Sequence, residues 1–146
     1  MRKINFVVAA VFVAVGILSA SAFASTKSST VSLRTTQIGK VLVAGGRTLY
    51  LFTADKGGKS ACYGKCASVW PPLIAASPTV ATGLSDSMLG TTKRTDGKLQ
   101  VTYGGHPLYF FAKDKKSGDI HGEGITHFGG TWWVVSGTGK PLISKR

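Results

Sequence analysis

One stretch of this chain occurs twice, and that constrains its fold more than any single residue does. Gly45-Gly46-Arg47-Thr48-Leu49-Tyr50-Leu51-Phe52-Thr53-Ala54-Asp55 returns 59 residues later as Gly104-Gly105-His106-Pro107-Leu108-Tyr109-Phe110-Phe111-Ala112-Lys113-Asp114, with six identities in 11 positions and no gap. Each copy of such a repeat is one supersecondary unit, and its apolar surface is closed by its neighbour. Tails follow both copies: Val69-Trp70 after the first, Trp132-Trp133-Val134-Val135 after the second.

The local signals are those of β structure. Gly45-Gly46 and Gly104-Gly105 are two-residue turns that accept positive φ at both positions. The first joins the apolar strand Val41–Ala44 to Thr48–Phe52, the second joins Lys98–Tyr103 to His106–Ala112. Asp96-Gly97 marks a further hairpin, between Thr91–Thr95 and Lys98–Tyr103. Side chains alternate along a strand, so Tyr50 and Phe52 face one way and Leu49 and Leu51 the other. Both faces are apolar, which predicts a central strand covered on both sides. No long amphipathic helix is encoded; Ser85 to Leu89 predicts a single helical turn capped by Ser85. The expected fold is all-β: two diverged four-stranded antiparallel repeats sharing a core and packed as one pseudo-twofold domain. Its expected divisions are repeat one at 31–73, a linker at 74–90 and repeat two at 91–137, inside a single domain at 31–146.

Residues 1–24 read as a signal peptide. Arg2 and Lys3 precede the apolar run Phe6–Leu18, and Ala22-Phe23-Ala24 supplies small residues for cleavage. The run is too short for a membrane-spanning helix, which needs about 20 apolar residues. Residues 25–30 read as a flexible leader. A lipid-anchored protein needs a Cys at the cleavage point, and Leu18-Ser19-Ala20-Ser21 has none. The expectation is an exported, soluble protein, periplasmic or extracellular, starting near Ser25.

Export places Cys62 and Cys66 in an oxidising compartment, where an even count favours a disulfide. The formal charge is +12, or +10 without Arg2 and Lys3. The excess is spread along the chain, from Lys40 through Lys65, Arg94 and Lys116 to Arg146, rather than gathered in one arm. A solvated cationic surface follows, with attraction to anionic envelope components, lipid or lipopolysaccharide, or to nucleic acid as its functional reading.

Tyr50-x-Phe52-x-x-Asp55 and Tyr109-x-Phe111-x-x-Asp114, together with Cys62–Leu73, Val101–Tyr109 and Gly129–Trp132, resemble the bacterial secreted-repeat family of tandem Tyr-x-(Phe/Trp/Tyr)-x-x-Asp proteins. The resemblance covers nearly all of the mature chain. It implies an envelope or secreted location and tandem repeats, with no established ligand. The lipidation Cys common among such proteins is absent here.

Asp55 and Asp114 each end a motif before a Lys- and Gly-rich turn. Asp in such a place accepts backbone N–H bonds, so a structural corner is the preferred reading and a paired Tyr–Asp ligand site the other. His106, His121 and His127 are the candidate metal ligands, the last two in a loop with Asp114, Asp119 and Glu123. The spacing is unspecific and the neighbouring lysines oppose a cation. No catalytic constellation is recognised: a Gly-x-Ser-x-Gly elbow is absent. No cofactor is called for. Tyr63, Tyr103, Trp70, Trp132 and Trp133 are candidates for a stacking surface, against the simpler expectation that Trp packs at a sheet edge and one of the adjacent pair is exposed. The leading functional expectation is a non-enzymatic envelope module that binds or reinforces. The alternative is a periplasmic metal or redox protein using Cys62, Cys66 and His.

Overall fold

The computed structural model describes residues 29–143. The signal segment and most of the leader lie outside the described residues. Ten short strands follow in order: β1 Thr30–Thr36, β2 Gly39–Ala44, β3 Arg47–Thr48, β4 Tyr50–Phe52, β5 Thr79–Val80, β6 Leu89–Lys93, β7 Leu99–Tyr103, β8 His106–Pro107, β9 Thr126–His127 and β10 Gly130–Val134. Between β4 and β5 lies one short helix, α1 Lys65–Val69, which the sequence did not announce. Asp86–Met88 forms a 3-10 turn after Ser85. The Ser85 hydroxyl pairs with Ser87 Oγ at 2.7 Å instead of capping the turn.

Each copy opens with the same meander, β1-β2-β3 in the first and β6-β7-β8 in the second. The glycine pairs lie where the sequence put them, with φ of 55° and 78° at Gly45 and Gly46 and 59° and 80° at Gly104 and Gly105. Two expectations need correction. The sheets number three, of four, three and three strands, and they are not uniformly antiparallel: β5, from the segment read as a linker, pairs in parallel with β1.

The reason lies in where each fourth strand goes. β10, from copy two, pairs with β4 of copy one, setting Trp132 opposite Phe52 and Val134 opposite Tyr50. Reciprocally, Phe110 and Ala112 of copy two donate their N–H groups to Pro71 and Val69 of copy one, at 2.8 and 2.9 Å. The exchange continues one step on. Val135 is bonded between Leu42 and Leu49, and Leu73 is bonded in the same way between Val101 and Leu108. Neither copy completes a four-stranded unit from its own residues.

The expected strand Thr48–Phe52 breaks at Leu49 because its carbonyl is taken by Val135 rather than by β2. The expected strand His106–Ala112 stops at Pro107. Its partner segment carries Pro71 and Pro72, which have no N–H to give to a ladder.

The core lies on both faces of the motif strand as two clusters rather than one. Leu49, Leu51 and Leu108 join Val31, Leu42, Val101 and Val135 on one side. Tyr50, Phe52, Tyr109 and Phe111 join Trp70, Trp132 and both cysteines on the other. The second cluster is a four-ring stack. Phe52 lies on Trp132 at 4.0 Å, Trp132 on Trp70 at 4.0 Å with 1° between planes, and Trp70 on Phe111 at 4.3 Å. Offset stacks of this kind add about 0.5–1.5 kcal/mol per pair beyond the area buried.

Trp70 and Trp132 are therefore central, not at a sheet edge. Trp133 turns to the opposite face and packs half-buried against the leucine cluster. The proposed stacking surface does not form: Trp70, Trp132 and Tyr103 are fully buried, and Tyr63 lies beneath the Arg94 guanidinium at 4.3 Å.

Candidate functional site

Tyr50 and Tyr109 face each other across the two copies. Each donates its N–H to the other's carbonyl, at 2.8 and 3.0 Å. From this shared bridge the two rings diverge, and each hydroxyl reaches the aspartate of the other copy. Tyr50 donates to Asp114 Oδ2 at 2.6 Å, and Tyr109 donates to Asp55 Oδ2 at 2.9 Å. The second oxygen of each carboxylate accepts a backbone N–H from the loop that follows it: Ala61 to Asp55 Oδ1 at 2.8 Å, His121 to Asp114 Oδ1 at 3.0 Å. Each Asp thus holds its own loop with one oxygen and the other copy with its second.

The surroundings of the two corners differ. At the Asp55 corner the Tyr109 oxygen also lies 2.7 Å from Ser60 Oγ. Ser60 in turn takes a hydrogen bond from Arg94 at 2.9 Å. Arg94 does not belong to the solvated cationic surface expected from the sequence: it is only 4% exposed. It donates to Gln100 Oε1 at 2.7 Å and to the Cys62 carbonyl at 2.7 Å, and Gln100 passes a hydrogen bond on to the Leu108 carbonyl at 2.9 Å. Burial pushes the Asp55 carboxyl up to about 6, against the lowering effects of the Ala61 N–H, Tyr109 and Arg94. Burial, then the Asp55 charge, pushes the Tyr109 phenol up as well.

At the Asp114 corner, Gly122 donates its N–H to the Tyr50 hydroxyl at 3.2 Å. A Cβ on Gly122 would meet the Trp70 ring at 2.8 Å and Tyr50 at 2.9 Å, so only glycine closes this corner. Burial, then the bond to Asp114, pushes the Tyr50 phenol up. His121 Nδ1 stands 3.2 Å from Asp114 Oδ1 and 3.8 Å from Asp119 Oδ2. Asp119 accepts N–H bonds from Lys115 and Lys116, which lower its carboxyl, Lys116 foremost.

Asp114, Asp119 and His121 form the group among the described residues with one ligand atom each inside 4.8 Å of the others. His106 and His127, the other histidines considered, do not join it. Cys62 and Cys66 are disulfide-bonded to each other, with S–S 1.98 Å, and both are buried. The expected pairing is therefore present, and neither sulfur is a free thiolate. Arg94, Ser60, Gln100 and Gly122 were missed by sequence reasoning. No local signal announced the first three: Gln100 shares the polar register of its strand with Thr102, opposite Leu99, Val101 and Tyr103.

A family described as a secreted repeat of unknown function matches residues 32–74 and 90–136. The chain belongs to that family. The reciprocal Tyr–Asp bonds give the family's doubled repeat a concrete structural role in this member. No curated protein and no solved structure matches the chain. Among the described residues, no helix is long and apolar enough to cross a membrane.

Proposed function

We propose that the protein is an exported, non-enzymatic module that binds anionic components of the cell envelope through its lysine-covered β surface. The observation that carries this reading is an asymmetry between the two signs of charge. All ten lysines of the described residues are exposed. Five of the six carboxylates, in contrast, accept backbone N–H bonds: Asp55, Asp96, Asp114, Asp119 and Glu123. Most acidic groups serve the fold, and the lysines face outward. Such a surface attracts polyanions over roughly a Debye length, about 8 Å at physiological salt.

The Tyr–Asp motifs belong to the scaffold in this reading, since each carboxylate is held by a tyrosine and a backbone amide of the chain itself. Export rests on the family's description and on the expected cleavage after Ala24.

Co-sedimentation with lipid vesicles tests the proposal. Phosphatidylglycerol vesicles should retain the mature protein at low salt and release it as salt rises, and phosphatidylcholine vesicles should not retain it. Charge reversal at Lys113, Lys115 and Lys116 should weaken retention. Equal binding to both lipids, or none to either, refutes it.

A further inference from the structure

The two copies part company where the chain leaves the exchanged strand. In copy two it turns at Ser136 and comes back. Ser136 N–H donates to the Lys140 carbonyl at 2.9 Å, Leu142 N–H donates to the Val134 carbonyl at 2.9 Å, and Pro141 lies antiparallel to Val135. A short return strand thus covers the outer edge of 134–136.

By the reciprocal bonding of Val135 and Leu73, the matching edge in copy one is Pro72–Ile74. There the chain does not return. It runs on through Ala76 to β5, beside β1. The Pro72 carbonyl and the Ile74 N–H, counterparts of Val134 C=O and Ser136 N–H, have no hydrogen-bond partner among the described residues. Pro72 and Ile74 line a groove of about 940 Å³.

The glycines report the same vacancy. A Cβ on Gly104 would meet Gly139 Cα of the return segment at 3.1 Å, and a Cβ on Gly39 would meet the Leu142 side chain at 3.3 Å. A Cβ on Gly45, the counterpart of Gly104 and part of the groove, would meet nothing within 4 Å.

We propose that this groove receives an extended acidic peptide strand of a partner protein, laid antiparallel on Pro72–Ile74 as 140–142 is laid on 134–136. Strand addition of this kind takes its affinity from main-chain bonds and its specificity from the pockets beside them. The pocket here has an apolar floor that includes Leu73, Ala75 and Phe110, and its charged lining residues are Arg47 and Lys98. Arg47 is held in place over the Phe110 ring at 4.4 Å and by a hydrogen bond to the Phe111 carbonyl at 3.2 Å. That charge selects an acidic strand. It opposes the chain's own leader, in which Lys27 is the only charged residue, and it opposes a second copy of this basic protein. The inference goes beyond surface adsorption and does not depend on it.

A fluorescein-labelled Glu-Val-Glu-Val-Glu-Val peptide, titrated into the mature protein and followed by anisotropy, tests this. Saturable one-to-one binding is expected, with no binding of the Lys-Val counterpart. Ala76→Trp, at the exposed rim, should abolish binding without lowering the melting temperature. N-methylation of one pairing amide leaves the charge intact and should weaken binding about tenfold, the loss of one backbone hydrogen bond. Four results overturn the proposal: no saturable binding; binding indifferent to Ala76→Trp or to N-methylation, which is adsorption to lysines alone; a dimer that Ala76→Trp dissociates; or peptide binding that appears only when residues 25–28 are deleted.

Discussion

The Asp55 and Asp114 corners are made from the same motif and reach the same geometry, yet almost nothing around them is shared. One is backed by Ser60, Gln100, a buried arginine and a disulfide. The other is backed by a glycine amide and opens onto a histidine and a second aspartate. What survives in both is a tyrosine hydroxyl from one copy, a carboxylate from the other, and one loop amide. The comparison separates what the fold requires from what each copy has been free to change. The six-residue motif is the requirement, and the loop that follows it is the variable part.

The sharpest way to break this comparison is to remove the carboxylates. Asp114→Ala orphans the buried Tyr50 hydroxyl, at about 1–3 kcal/mol for a buried donor, and the part-buried His121 amide as well. Asp55→Ala orphans only the exposed Ala61 amide, since Ser60 remains for the Tyr109 hydroxyl, and the site is less deeply buried. Both variants should melt lower, Asp114→Ala the lower of the two, with each kcal/mol worth roughly 3–6 °C in a domain of this size. A double-mutant cycle then identifies the partners. Tyr50→Phe should couple with Asp114→Ala by about 1 kcal/mol and should be additive with Asp55→Ala. Coupling within a copy instead of across copies would contradict the reciprocal bonds.

A smaller effect is expected from the disulfide, which belongs to one corner alone. Cys62→Ser with Cys66→Ser opens a loop of five residues, worth about 2 kcal/mol on chain-entropy grounds. Thermal unfolding with and without reductant should show that loss in the parent and none in the double variant.

The smallest effect is a pH dependence confined to the same corner. The Asp55 carboxyl sits at about 6 in the folded protein against an ordinary value of 3.8. The folded state therefore binds the proton more tightly than the unfolded one between those values. The stability from this group is fully present below about pH 4 and is lost as pH rises through about 6. Melting temperature should fall across that window in the parent, and Asp55→Asn should flatten this part of the profile. An unchanged slope in Asp55→Asn would assign the dependence elsewhere.

Much of the scaffold was legible because it depends on local rules. The Gly-Gly turns, the meanders and the two-sided burial of Leu49–Phe52 all follow from positive φ and alternation. What was not legible is which copy each residue serves. A motif that reads Tyr50 to Asp55 along the chain suggests one unit, but each hydroxyl meets the carboxylate of the other copy, a pairing between residues 54 and 64 positions apart that no local pattern announces. The same limit hid the exchange of β10 and the burial of Arg94, both of which rest on contacts between residues far apart in sequence. Trp70 and Trp132 looked like edge residues because no local pattern announces a stack built across the two copies.

The Tyr50–Tyr109 bridge has a consequence in terms of assembly. Its two hydrogen bonds exchange identical roles, as do the two Tyr–Asp pairs and the Leu73 and Val135 insertions. Contacts that map onto themselves when partners are swapped are the mark of an isologous interface, the kind that closes a twofold dimer. Two separate chains, each one repeat long, would satisfy every one of these bonds. In this molecule the two repeats are joined in one chain, and joining them lets their surroundings differ: one carries a disulfide and the other a return strand.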